Sequence, residues 1–162
     1  MRIRPAPAAV FMAVALLATA CGGGGQSGSG SGGSPAPVTV SAGTVFAVGT
    51  VLINTTHRTL YVLVSAPGGR VVPCTSRACT QAWPPVLLPA GITAPQAGPG
   101  VKASKLGVEK VPVGRQVTYF NRPLHTFSGD ERGQATGRGV ASFGGVWHPM
   151  TPSGQPLSIL VG

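Results

Sequence analysis

The sequence predicts a mainly β, compact single domain of two pseudo-symmetric β-hairpin repeats, with at most one or two short helices. Three observations carry this expectation. First, Arg58 and Arg122, Leu60 and Leu124, Gly69 and Gly133, Trp83 and Trp147, and Pro85 and Pro149 are each separated by 64 positions, and the chain has only two tryptophans. An ungapped offset of this kind marks one supersecondary unit used twice, at about residues 51–90 and 115–154. Second, 25 glycines and 16 prolines interrupt the chain too often for long helices. Third, "TVLINTTHRTLYVLV" and "QVTYFNRPLHTF" each set β-rich runs on both sides of a polar break.

The elements follow in chain order. "MRIRPAPAAVFMAVALLATAC" opens with Arg2 and Arg4, and its apolar run over residues 8–18 is shorter than the roughly 20 residues a bilayer span needs. Ala18, Thr19 and Ala20 then form a small-residue cleavage site, so residues 1–20 read as a secretory signal peptide. The cysteine placed directly after that site resembles a bacterial lipobox, with Ala18 three positions and Leu17 four positions before Cys21. The resemblance implies a lipoprotein: Cys21 is freed by cleavage, acylated with diacylglycerol and palmitate-type chains, and becomes the mature N-terminus. The following "GGGGQSGSGSGGSPAP" cannot bury a core and completes a tether over residues 21–37. A flexible coil of that length has a reach of roughly 20–25 Å.

Residues 38–162 have the length of one ordinary domain. Its first unit opens with a hairpin broken at residues 54–57. The strand after the break places Leu60, Val62 and Val64 on one face and Tyr61 and Leu63 on the other, so it is expected to be buried on both sides. A short helix is expected from about Ser76 to Trp83, capped by Thr75 or Ser76 and stopped by Pro84. "VEKVPVGRQVTY" reads as a further hairpin turning at residues 112–114, and "QVTYFNRPLHTF" as one turning at Asn121 and Arg122.

Cys74 and Cys79, in "CTSRAC", are expected to form a disulfide in an oxidising exported compartment. A redox-active or metal-binding pair is the alternative, but the spacing is not C-x-x-C and no second cysteine pair completes a zinc site. Without Arg2 and Arg4, ten basic residues face three acids, Glu109, Asp130 and Glu131, leaving a net charge of +7. A basic surface of this kind suits anionic lipid headgroups or wall polymers. No nucleic-acid-binding motif is present.

Four stretches together, "TLYVLVSA", "CTSRACTQAWPPVL", "QVTYFNRPLHTFSGD" and "GRGVASFGGVW", resemble a family of bacterial secreted-repeat lipoproteins of unknown function with a Y-x-[FWY]-x-x-D motif. The family motif falls on Tyr61 in the first unit and on His125, Phe127 and Asp130 in the second. The first unit has Leu63 and Ala66 where the motif has an aromatic and Asp, and the second has His125 for the tyrosine. The resemblance implies an anchored envelope domain on the extracytoplasmic side of the bacterial cell membrane, and no cofactor.

Among titratable groups, His125 could serve as base, pH switch or metal ligand. It and Asp130 have opposite strand parity, which argues against a dyad. His125 is expected to replace a half-buried tyrosine, with its ring on the core and a nitrogen reaching water. Asp130 is expected to accept hydrogen bonds from the glycine-rich loop or to pair with Arg122 or Arg132. His57, His125, His148 and Met150 are the candidates for a metal site, yet under the offset none of the histidines is repeated. The loop over residues 133–139 lacks the ending of a P-loop, and no nucleophile elbow or cysteine–histidine signature occurs. Trp83 and Trp147 are expected to anchor the core rather than to stack sugars. The function expected is a non-enzymatic binding or structural module. A metal- or redox-linked envelope protein using His125, His148 or Cys74–Cys79 is the alternative, and a weak hydrolase acting on wall material is a third.

Overall fold

A computed structural model describes residues 37–66 and 69–157. The signal peptide, Cys21 and nearly all of the tether therefore lie outside the described residues. The elements are β1 (Thr39–Val45), β2 (Gly49–Ile53), β3 (Tyr61–Val64), α1 (Arg77–Ala82), β4 (Gln96–Ala97), a 3-10 turn (Ala103–Lys105), β5 (Leu106–Val111), β6 (Gly114–Tyr119), β7 (Arg122–Pro123), β8 (Ala141–Ser142) and β9 (Gly145–Pro149). The fold is mainly β, and its strands form three small sheets in the orders β2-β1-β4, β3-β9-β8 and β5-β6-β7.

The local chemistry explains the element ends. The Ser76 side chain accepts a hydrogen bond from the Cys79 amide and caps α1. Pro84, lacking an N–H, follows its last turn. β5 and β6 are joined through Pro112 and Val113, with Val111 opposite Gly114. β6 and β7 turn at Phe120 and Asn121, which both have positive φ, 49° and 58°. That left-handed pair matches the right-handed twist of the two strands it joins.

The hairpin expected in the first unit closes only at its base. The Leu60 amide donates to the Leu52 carbonyl at 2.9 Å, and the Asn54 amide to the Arg58 carbonyl at 3.1 Å. Beyond Leu60 the chain leaves β2, and β3 pairs with β9, Val62 opposite His148 and Leu63 opposite Trp147. The reason is burial: β3 is apolar on both faces, and a two-stranded hairpin could cover neither.

The second unit repeats this departure. The Met150 amide donates to Leu60 at 2.8 Å, and 64 positions away the Val86 amide donates to Leu124 at 2.9 Å. Thr126 donates to Pro84 and Ser128 to Ala82, both at 2.9 Å, where β3 uses His148 and Val146. The two departing segments meet at Tyr61 and His125, whose amides donate to each other's carbonyls at 2.8 and 3.0 Å. Positions 64 apart thus carry equivalent bonds, and each unit's strand is completed by a segment of the other. Local structure is not copied throughout, since Trp83 caps a helix while Trp147 sits in a strand.

The two faces of β3 serve two apolar clusters. Leu60, Val62 and Val64 pack with Val86, Val117, Leu124 and Met150. Tyr61 and Leu63 pack with Cys79, Trp83 and Trp147. Each fully buried Leu or Val contributes roughly 1.5–3 kcal/mol relative to exposure. Trp83 and Trp147 lie stacked, with ring centroids 3.9 Å apart and planes 6° apart, and Phe127 and Tyr61 flank Trp83. Gly137 is required by this arrangement, because a Cβ there would lie 2.6 Å from Trp83 Cη2.

Candidate functional site

The repeat anchors are structural. Leu60, Leu124, Trp83 and Trp147 are buried. Pro85 and Pro149 follow the two tryptophans at equivalent points. Arg58 reaches into the second unit, its Nη2 donating to the Phe127 and Asp130 carbonyls at 2.6 and 2.7 Å. Arg122 reaches the opposite way, its Nη1 donating to the Gly69 carbonyl at 3.1 Å.

Tyr61 and Asp130, one from each unit, come together. The Tyr61 hydroxyl donates to Asp130 Oδ2 at 2.6 Å. Asp130 Oδ1 accepts from the Thr136 amide and hydroxyl, each at 2.7 Å. The carboxylate is therefore held by Thr136 of the glycine-rich loop, one of the two arrangements expected, and by Tyr61 of the other unit, rather than by Arg122 or Arg132. The physical reason is depth: Asp130 is 5% exposed, and neutral donors already inside the core satisfy it without the desolvation of a second charge. Burial first, and then the bond to Asp130, push the Tyr61 phenol far above its ordinary range, so it stays protonated.

His125 departs from its expected setting too. It is only 3% exposed, so its ring does not reach water. It stands edge-on to Trp147, centroids 5.2 Å apart. Burial lowers its pKa to about 4, a drop the Pro123 carbonyl partly offsets. The Gln116 side-chain amide donates to the Leu124 carbonyl at 2.9 Å and lies 3.1 Å from His125 Nε2. An amide nitrogen has only hydrogens to offer, so Nε2 accepts and the ring proton resides on Nδ1. Nδ1 is buried, and the Pro123 carbonyl is the acceptor that acts on the ring.

His125 and Gln116 form part of the wall of a cavity of about 230 Å³. Pro73, Pro85, Pro112 and Pro123 supply apolar wall, Glu109 contributes a carboxylate, and Cys74 also lines the space. Val71 and Val113, 40% and 60% exposed, line the cavity as well. Cys74 and Cys79 are joined by a disulfide, with Cα atoms 5.6 Å apart.

The other candidate ligands are dispersed in role. His57 is exposed in a positive-φ turn, and His148 Nδ1 lies 3.0 Å from the Leu157 carbonyl. Met150 is fully buried in the apolar cluster. Among the described residues no group of three or more His, Cys, Asp or Glu is placed to hold a metal ion, and no helix is long and apolar enough to cross a membrane. Gln116, Thr136 and Glu109 were not singled out from the sequence. A glutamine between strand residues and a threonine in a loop have no distinctive pattern, so only the fold reveals their partners.

Residues 110–151 match a family model, Lipoprotein_15, described as a secreted repeat of unknown function. The match spans the end of β5 through β9 and includes His125, Phe127, Asp130, Trp147 and Pro149. No curated protein and no solved structure matches the chain.

Proposed function

We propose that this protein is a lipid-anchored, extracytoplasmic binding module, tethered through Cys21 and working at the cavity beside His125. Its secreted repeat supports export. The cysteine after a small-residue cleavage site and the glycine-rich tether support anchoring to the outer face of the membrane. Residues 51–90 and 115–154 act in this reading as two copies of one unit that exchange strands, which gives a rigid frame. The basic surface would hold the frame near anionic headgroups or wall polymers.

One observation carries the binding role. The Asp130 carboxylate is enclosed by internal donors and leaves no opening, whereas His125 lines a mostly apolar cavity of about 230 Å³ with Gln116, Asn121 and Glu109 among its few polar groups. Concave, mostly apolar recesses with few polar groups are the usual form of a small-molecule site.

Fractionation of the full chain tests the anchor. Wild type should enter the detergent phase of membrane extracts, and Cys21→Ala should move to the aqueous phase. Unmodified Cys21 in protein isolated from native membranes would end this half of the reading. For the binding half, native mass spectrometry of wild type and Val113→Trp should reveal a companion molecule present only in the former.

A further inference from the structure

We infer that the β1–β2 turn carrying Phe46 inserts into the surface of the bilayer that holds the Cys21 anchor, and so fixes how the domain stands on the membrane. The inference rests on the anchoring half of the reading above and adds a second contact to it.

The turn is apolar where turns are ordinarily polar. The Val48 amide donates to the Val45 carbonyl at 3.1 Å, which puts Phe46 and Ala47 at the two central positions. Ala47 has a φ of 57°, at a place where glycine or asparagine is usual. Phe46 is 94% exposed, the most of any large hydrophobic among the described residues, while Val45 beside it is buried. The ring thus projects from a hairpin whose base, at Val45, Val51 and Leu52, is set in the core. Thr44 and Thr50, both exposed, face each other just below the tip and offer hydroxyls at headgroup depth.

Charge separates this turn from other exposed apolar positions. No Asp, Glu, Lys or Arg occurs between Arg4 and Arg58. The β1–β2 hairpin can therefore enter the lipid interface without taking a charge out of water. The turn that exposes Val113, by contrast, is flanked by Glu109, Lys110 and Arg115.

The two contacts can be made at once. At about 3.3 Å per residue, Phe46 stands roughly 25 Å from Val38, the first residue beyond the tether. That span matches the reach of roughly 20–25 Å expected for residues 21–37, the condition under which a second, linked contact is most favoured. Moving a phenylalanine out of water favours insertion by about ten- to a hundredfold. This is too little to hold a free domain on a bilayer and enough to orient a tethered one.

Trp83 and Trp147 are buried, so the indole introduced by Phe46→Trp reports lipid contact by itself. The acylated mature chain with this change goes into phosphatidylcholine vesicles brominated on shallow acyl carbons. Its added emission should shift to the blue and be quenched, and salt should leave the quenching unchanged because the tip is uncharged. Phe143→Trp, at a position 40% exposed in another turn, should be quenched far less. Cys21→Ala combined with Phe46→Trp should need about a hundredfold more lipid for equal quenching. Unquenched emission from Phe46→Trp, in protein whose mass shows the acyl chains, overturns the inference and leaves the anchor standing. Equal quenching in Phe143→Trp overturns it as well, and so does quenching lost with salt, which assigns the contact to the basic surface. A blue shift that grows with protein concentration in the absence of lipid would give the tip to a second copy instead. Unacylated Cys21 removes the anchor and this inference together.

Discussion

The phenol of Tyr61 and the carboxylate of Asp130 form one 2.6 Å hydrogen bond between the two halves of the domain. Read along the sequence, the motif looks broken in both units. Read across the fold, Tyr61 of one unit and Asp130 of the other restore a tyrosine–aspartate pair. The reciprocal pair would need Tyr at 125 and Asp at 66, where His125 and Ala66 stand.

The first prediction concerns this pair. Tyr61→Phe leaves a buried carboxylate with only Thr136, and Asp130→Ala leaves a buried hydroxyl. Each should cost about 1.5–3 kcal/mol, and the double variant should cost less than the sum. Urea unfolding of the four proteins measures the coupling. Additive losses would show that the bond contributes nothing of its own.

The second concerns pH. His125 is neutral in the folded state down to about pH 4, while in the unfolded chain it binds a proton below about 6.5. The unfolded state therefore binds more protons in that window, and stability falls as pH drops from 6.5 towards 4. The loss attributable to this residue approaches about 3 kcal/mol at the acid end. In His125→Phe, the slope of unfolding free energy against pH should flatten across the window, and an unchanged slope would refute the assignment.

The third concerns the tryptophan stack. Gly137→Ala brings a methyl group against Trp83. Overpacking of this kind costs about 1–3 kcal/mol. A weaker near-ultraviolet circular dichroism signal and a lower melting temperature should appear together. A wild-type melting temperature would mean that the loop yields without cost.

The fourth concerns the Cys74–Cys79 disulfide, which closes a loop with a sequence separation of 5. So short a loop stabilises by only about 2 kcal/mol on the chain-entropy model. Mild reduction should lower the melting point without unfolding the domain at room temperature. Collapse of the fold on reduction would show a larger role.

Much of the architecture was legible because it is local. Ser76, the residues of α1 and Pro84 announce a capped helix, and the alternation from Leu60 to Val64 announces a strand with two buried faces. What could not be read locally depends on which segments meet. The loop contact of Asp130 is legible in the glycine-rich stretch that follows it, but its second partner, a tyrosine from the other unit rather than a nearby arginine, is not. His125 is expected to be half-buried with a nitrogen reaching water, because a tyrosine position usually has a wet edge, yet Gln116 and Trp147 enclose it. Trp147 lies far from it in sequence, whereas Gln116 stands on the preceding strand of the same hairpin.

The exchange of strands has a consequence in time as well as space. As the chain emerges on the far side of a membrane, Leu60 can complete its pairing only when Met150 arrives, and Leu124 must find Val86 already waiting. Such long-range closure is slow to reach. Until it happens, a strand with no polar face stands exposed. The order of emergence thus makes this domain dependent on its last segment, and any truncation before Met150 should yield a chain that aggregates rather than a half-domain that folds.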